Sequence, residues 1–168
     1  MARRDLQTFY QQHGDMSDPN GFASAFDLVE GTVATITSAV QGLFVHDYFG
    51  AHLYSDPPSD IEHASRATLP VSERLPTLSG FGAIPLFEPR ETAARRVGTC
   101  RDFALFTCSM MRHHSIPARV RCGFARYFHP PTYEDHWICE YFDASAGAWK
   151  MADAQLDEAH QEHLSIEF

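Results

Sequence analysis

The chain has 168 residues, 44% of them hydrophobic, enough for one domain with a substantial core and no dependence on disulfide or metal staples. Its 13 Lys and Arg stand against 22 Asp and Glu, a net charge of −9, and no basic run interrupts the acidity, so a nucleic-acid partner is disfavoured. No stretch approaches the roughly 20 apolar residues of a membrane span, and Met1–Tyr10 carries two arginines with no apolar run behind them, so a cytoplasmic protein without a membrane partner is expected.

From Asp27 to about Leu53, apolar residues at Leu28, Val29, Val33, Ile36, Val40, Leu43, Phe44 and Phe49 recur at steps of three and four, the period of a helix with one buried face. Between Ser55 and Arg90, six prolines with Gly80 and Gly82 forbid long regular elements and leave an extended wrap or short turns. Arg101 to His114 is apolar over most of a cylinder, as in a helix buried on nearly all sides, and Ile116-Pro117 stops it. Ala118 to Phe128 alternates, with Val120, Cys122 and Phe124 on a buried face and Arg119 and Arg121 opposite, which predicts a half-buried strand. After Pro130 and Pro131, His136 to Phe142 and Ala148 to Asp153 read as two further strands around the turn Asp143 to Gly147. One α+β domain over 1–168 follows: a mainly helical, proline-rich part (1–90), a core (91–156) and a C-terminal tail (157–168).

The four cysteines, at 100, 108, 122 and 139, have no export signal before them and no C-x₂₋₄-C spacing, so free thiols are expected rather than disulfides or zinc. Cys100 differs from the rest. It follows Gly98-Thr99 at the head of the buried helix, where unpaired amides and the positive end of the dipole favour a thiolate and can hold an oxyanion. Cys108, Cys122 and Cys139 fall inside a helix or strands and read as packing residues. A catalytic thiol needs a base. His113 and His114 lie about 20 Å away at the far end of the helix, at 1.5 Å per residue, and read as C-terminal capping cations. His136 is tested by its acidic partner: if the hairpin closes with Phe142 opposite Gly147, counting back along both strands puts Asp153 directly across from His136. Asp143 is then too far along the strand and Asp135 on the wrong face. Asp102, in the first turn, reads as a structural residue serving the dipole and the loop amides.

Gly98-Thr-Cys-Arg-Asp-Phe-Ala-Leu105, followed by Met111-Arg-His-His-Ser-Ile-Pro-Ala-Arg119 and Cys122-Gly-Phe124, resembles the core motif of the transglutaminase-like superfamily. His136-Trp-Ile-Cys-Glu140 and Trp149-Lys-Met-Ala-Asp153 resemble its histidine and aspartate blocks, so that the likeness covers about Val97 to Leu156. The resemblance implies a papain-like core, with a nucleophile-bearing helix packed on an antiparallel sheet that carries base and acid. It implies Cys100, His136 and Asp153 as a catalytic triad acting on an amide or ester carbonyl through a thioester. Ser115 stands where the family usually has glycine, which suggests an altered helix exit. No tryptophan precedes Cys100 to serve as a side-chain oxyanion donor, and Gln41 is the candidate by analogy with papain-like enzymes. Arg101, Tyr133 and Trp137, beside the catalytic candidates in sequence, are further cleft candidates.

The expected function is a cysteine-dependent amidase, peptidase or acyltransferase without cofactor, acting on a peptide, a protein or a small amide or ester. A non-catalytic binding protein on the same fold and a histidine-based metal enzyme are the alternatives. Substrate and oligomeric state stay open.

Overall fold

The computed structural model describes residues 6–166. The arginines at 3 and 4, and the last two residues of the apolar alternation at 164–168, lie outside the described residues. Helix α1 (Leu6–Gln11) leads through a 3-10 turn to α2 (Val33–Gln41), which is N-capped by the Thr32 hydroxyl accepting from the Thr35 amide at 3.2 Å. Strand β1 (Phe44–His46) and helix α3 (Gly50–Leu53) follow, then helix α4 (Val71–Arg74) and strand β2 (Arg96–Gly98). Helix α5 (Cys100–His113), strands β3 (Ala118–Ala125), β4 (Glu134–Asp143) and β5 (Ala148–Ala152), and helix α6 (Glu158–Leu164) complete the chain.

The single helix predicted over 27–53 is therefore three elements. Helix α2 ends at Gly42, where a Cβ would stand 2.9 Å from Pro89 Cα, and the chain turns into β1, parallel to β2 with Val45 opposite Val97 and His46 opposite Gly98. Leu43, Phe44 and Val45 are all buried, and a strand buried on both faces is a continuous apolar run that period alone does not separate from a helix. The prolines between 55 and 90 confine that stretch to α4 and short 3-10 turns, as expected.

Helix α5 is the centre of the core. Phe106, Met110 and Met111 are fully buried among Ile36, Val40, Phe44 and Leu75, and each large apolar side chain so enclosed contributes about 1.5–3 kcal/mol. The helix ends in a Schellman motif, with Ile116 N donating to Met111 O at 2.8 Å and Ser115 N to Arg112 O at 2.9 Å. Ser115 itself adopts φ +60°, the left-handed conformation that glycine takes without strain.

Strands β3, β4 and β5 form an antiparallel meander against α5. Arg119 and Arg121 reach across to Glu140 at 2.7 and 2.5 Å, and the Arg119 guanidinium lies 4.4 Å above the Trp149 ring. The core-facing stripe of β3 covers only Ala118 and Val120; Cys122 and Phe124, predicted on the buried face, are exposed, Phe124 at 78%. Residues 157–168, read as a tail, contain α6, whose His160 is buried beside Phe49 of the α3 segment. No helix among the described residues is long and apolar enough to cross a membrane.

Candidate active site

Cys100 is the first residue of α5, half-buried, with Thr99 as an extended N-cap. The Asp102 carboxylate accepts from the Thr99 amide at 2.8 Å and from the Thr99 hydroxyl at 3.2 Å, fixing the corner between β2 and α5. Arg74, 3% exposed, holds the same corner from α4: one guanidinium nitrogen donates to Val97 O at 2.6 Å and another lies 3.7 Å from Asp102. Gly98 completes it by close approach, since a Cβ there would sit 3.2 Å from the Asp102 side chain and 3.3 Å from the Phe44 ring. The Cys100 and Arg101 amides head the helix, where no carbonyl stands four residues back to receive them.

His136 lies in β4 opposite Gly123 and is 5% exposed, with its ring edge-on to Phe128 at 4.9 Å. Its Nε2 is 2.5 Å from Asp153 Oδ2. Asp153 is held in turn, with the Tyr127 hydroxyl donating to Oδ2 at 3.3 Å and the Gln155 amide to Oδ1 at 3.1 Å. Burial opposes a charged imidazole here, but the hydrogen bonds to Asp153 and then Cys100, with their charges, push its pKa up to about 9. Since Nε2 is taken by Asp153, Nδ1 is the ring nitrogen left for the thiol.

The route to this contact corrects the pairing predicted from sequence. Phe142 faces Trp149 rather than Gly147, the loop is 144–147, and the ladder closes at Cys139 opposite Ala152. The register is thus displaced by two residues. A two-residue slip keeps every side chain on its face, and Asp153 reaches His136 diagonally from just past the end of β5 rather than from directly opposite.

A cleft of about 260 Å³ opens over Cys100 and His136. Arg101 lines it; Gln41, Tyr133 and Trp137 do not. Gln41 donates to Leu156 O at 3.4 Å and faces a separate hollow beside Glu158, which removes it as oxyanion donor. Tyr133 is 64% exposed, while its neighbours Glu134 and Asp135 line the cleft, and Trp137 is half-buried opposite Cys122. No three described His, Cys, Asp or Glu side chains converge as metal ligands.

Three contributors were missed from sequence. Tyr127 and Gln155 lie just outside the motif blocks, and no local pattern marks them. His46 closes β1 and lines the cleft at 7% exposure, but the strand itself was read as helix. Burial, followed by the nearby charges of His160, His136 and Arg66, holds its pKa down to about 3, so its ring is neutral.

Residues 55–154 match the family described as the transglutaminase-like superfamily. No curated protein matches the chain. A crystal structure of a candidate cysteine protease from Cytophaga hutchinsonii is similar in fold, with a TM-score of 0.60 at 18% identity over 90% of this chain. The chain spans 43% of that protein's length.

Proposed function

From the premise that the chain belongs to the transglutaminase-like superfamily, we propose that it is a cysteine-dependent acyl-transfer enzyme with Cys100 as nucleophile, His136 as base and Asp153 as its orienting acid. The observation that carries this reading is the buried imidazole paired with the Asp153 carboxylate in a cleft that it shares with the thiol at the head of α5. The raised proton affinity of His136 suits it to keep the proton taken from Cys100. The thiolate forms a C–S bond to the acyl carbon while the carbonyl π pair moves onto oxygen. As the oxyanion collapses, the bond to the amine or alcohol breaks, and that group leaves with the proton from His136. Water or an amine, giving its proton to His136, then displaces sulfur from the thioester, and the thiol is restored. Water gives hydrolysis and an amine gives transfer. The substrate is a peptide, a protein or a small molecule that presents an amide or ester carbonyl to the cleft.

The test is acylation by p-nitrophenyl acetate, followed by release of nitrophenolate and by the mass of each cysteine peptide. Acyl mass on Cys100, lost in Cys100→Ala and retained in Cys122→Ser, is the expected outcome. Equal labelling of the exposed Cys122, or an undiminished burst in Cys100→Ala, refutes the reading.

A further inference from the structure

The mechanism leaves the oxyanion with backbone donors at the head of α5 but no side-chain donor, since Gln41 is turned toward Leu156 O. The donor has to come from elsewhere in the cleft. Two buried polar side chains that line it belong neither to the triad nor to the Thr99–Asp102 corner. Gln155 is 1% exposed, and its amide nitrogen and oxygen are both enclosed and unpaired, so neither atom reaches a bound oxygen. His46 is the other.

The neutral tautomer of His46 is set by the backbone. The Tyr48 amide hydrogen is shared between Asp47 Oδ1 at 2.9 Å and His46 Nδ1 at 3.2 Å, so Nδ1 faces a donor, and the tautomer that accepts from it carries its proton on Nε2. Asp47 Oδ1 also lies 3.2 Å from Nδ1, but a proton there would confront the Tyr48 hydrogen, whose direction the chain fixes. The other Asp47 oxygen is held by Arg66 Nε at 2.8 Å. Nε2 has no protein partner among the described residues and is not among the fully enclosed polar atoms, so it opens to the cleft. Its position relative to the sulfur is fixed by the β1–β2 ladder: His46 faces Gly98, two residues before Cys100, and the Asp47 amide donates to Gly98 O at 2.9 Å.

We propose that His46 Nε2–H is the side-chain donor that, together with the Cys100 amide, binds the oxyanion formed on the acyl oxygen. This rests on Cys100 being the nucleophile. A neutral imidazole serves this purpose because it offers a hydrogen bond without a net charge to shed, and it does not compete with His136 for the thiol proton. The residue stands where a helix-based reading of 27–53 would not look, in a strand that exists only by pairing with residues about fifty positions on.

The experiment compares two reactions of the same sulfur. Alkylation by iodoacetamide attacks a tetrahedral carbon and makes no oxyanion; acylation by p-nitrophenyl acetate does. In His46→Leu, acylation of Cys100 is expected to fall about 10²–10³-fold while alkylation stays within roughly threefold of wild type. His46→Gln, which restores an N–H donor, recovers about tenfold or more of the lost acylation rate, and it also covers the case in which the leucine variant fails to fold. Acylation unchanged in His46→Leu, or acylation and alkylation falling in parallel in both variants, overturns the donor role alone. Wild-type protein acylated on Cys122 instead of Cys100 overturns the nucleophile and the donor together.

Discussion

Replacing Asp153 by Asn keeps the shape of the side chain and removes the charge facing His136 at 2.5 Å. The gap between the ordinary imidazole value of 6.5 and about 9 corresponds to about 3 kcal/mol favouring the charged ring, and Asp153 supplies the largest raising share, ahead of Cys100. A group whose pKa is raised on folding stabilises the fold fully below its unfolded value, so this contribution is present below pH 6.5 and lost as pH rises through about 9. Asp153→Asn should therefore destabilise the protein more at pH 6 than at pH 10, by a difference of about 1–3 kcal/mol. Urea unfolding of both proteins at the two pH values measures that difference, and groups that titrate alike in both cancel. NMR of the His136 ring should show its midpoint falling from near 9 by at least about one pH unit in the variant. An equal loss of stability at both pH values, with an unmoved midpoint, would refute the reasoning.

Two further outcomes test the frame around the site. Arg74→Ala leaves the Asp102 carboxylate buried without its cation and Val97 O without its donor, so unfolding free energy should drop by about 3–5 kcal/mol; a loss under about 1 kcal/mol in urea would show that the corner does not depend on the pair. Ser115→Gly relieves a left-handed serine at φ +60° while keeping the backbone acceptor used by Gln11, and should raise stability by about 0.5–1 kcal/mol, visible as a higher Tm. A lower Tm would mean that the serine side chain holds the helix exit.

The legible parts of the fold are those whose determinants lie close together in sequence. Helix α5 is announced at both ends, by Thr99 with Asp102 three residues on and by Ile116-Pro117, so its limits are readable to within a residue. Its cysteine was readable for the same reason, because a helix head is a local feature. Strand β1 is the opposite case. It has three residues, all buried, and it exists because Arg96–Gly98 lies beside it, which no local pattern reports. His46 went unnoticed with it. The exposure of Phe124 is another non-local result, since alternation marks which side chains share a face but not where the covering helix ends.

The pairing of His136 with Asp153 lies between these cases. The turn chemistry left the loop position open by two residues, and Asp153 was still placed on the face of His136, because side chains repeat with a period of two and an even slip preserves the face. A slip of one would have discarded Asp153. The candidate site thus rests on two separate ladders. One is the short parallel pair β1–β2, which leads into Cys100 and carries His46; the other is the β4–β5 hairpin, which carries His136 and lies just before Asp153. The pH-dependent loss in Asp153→Asn reads the second ladder, and the ratio of acylation to alkylation reads the first. A common defect in packing would move both together, whereas the chemistry assigned to each ladder requires them to move apart.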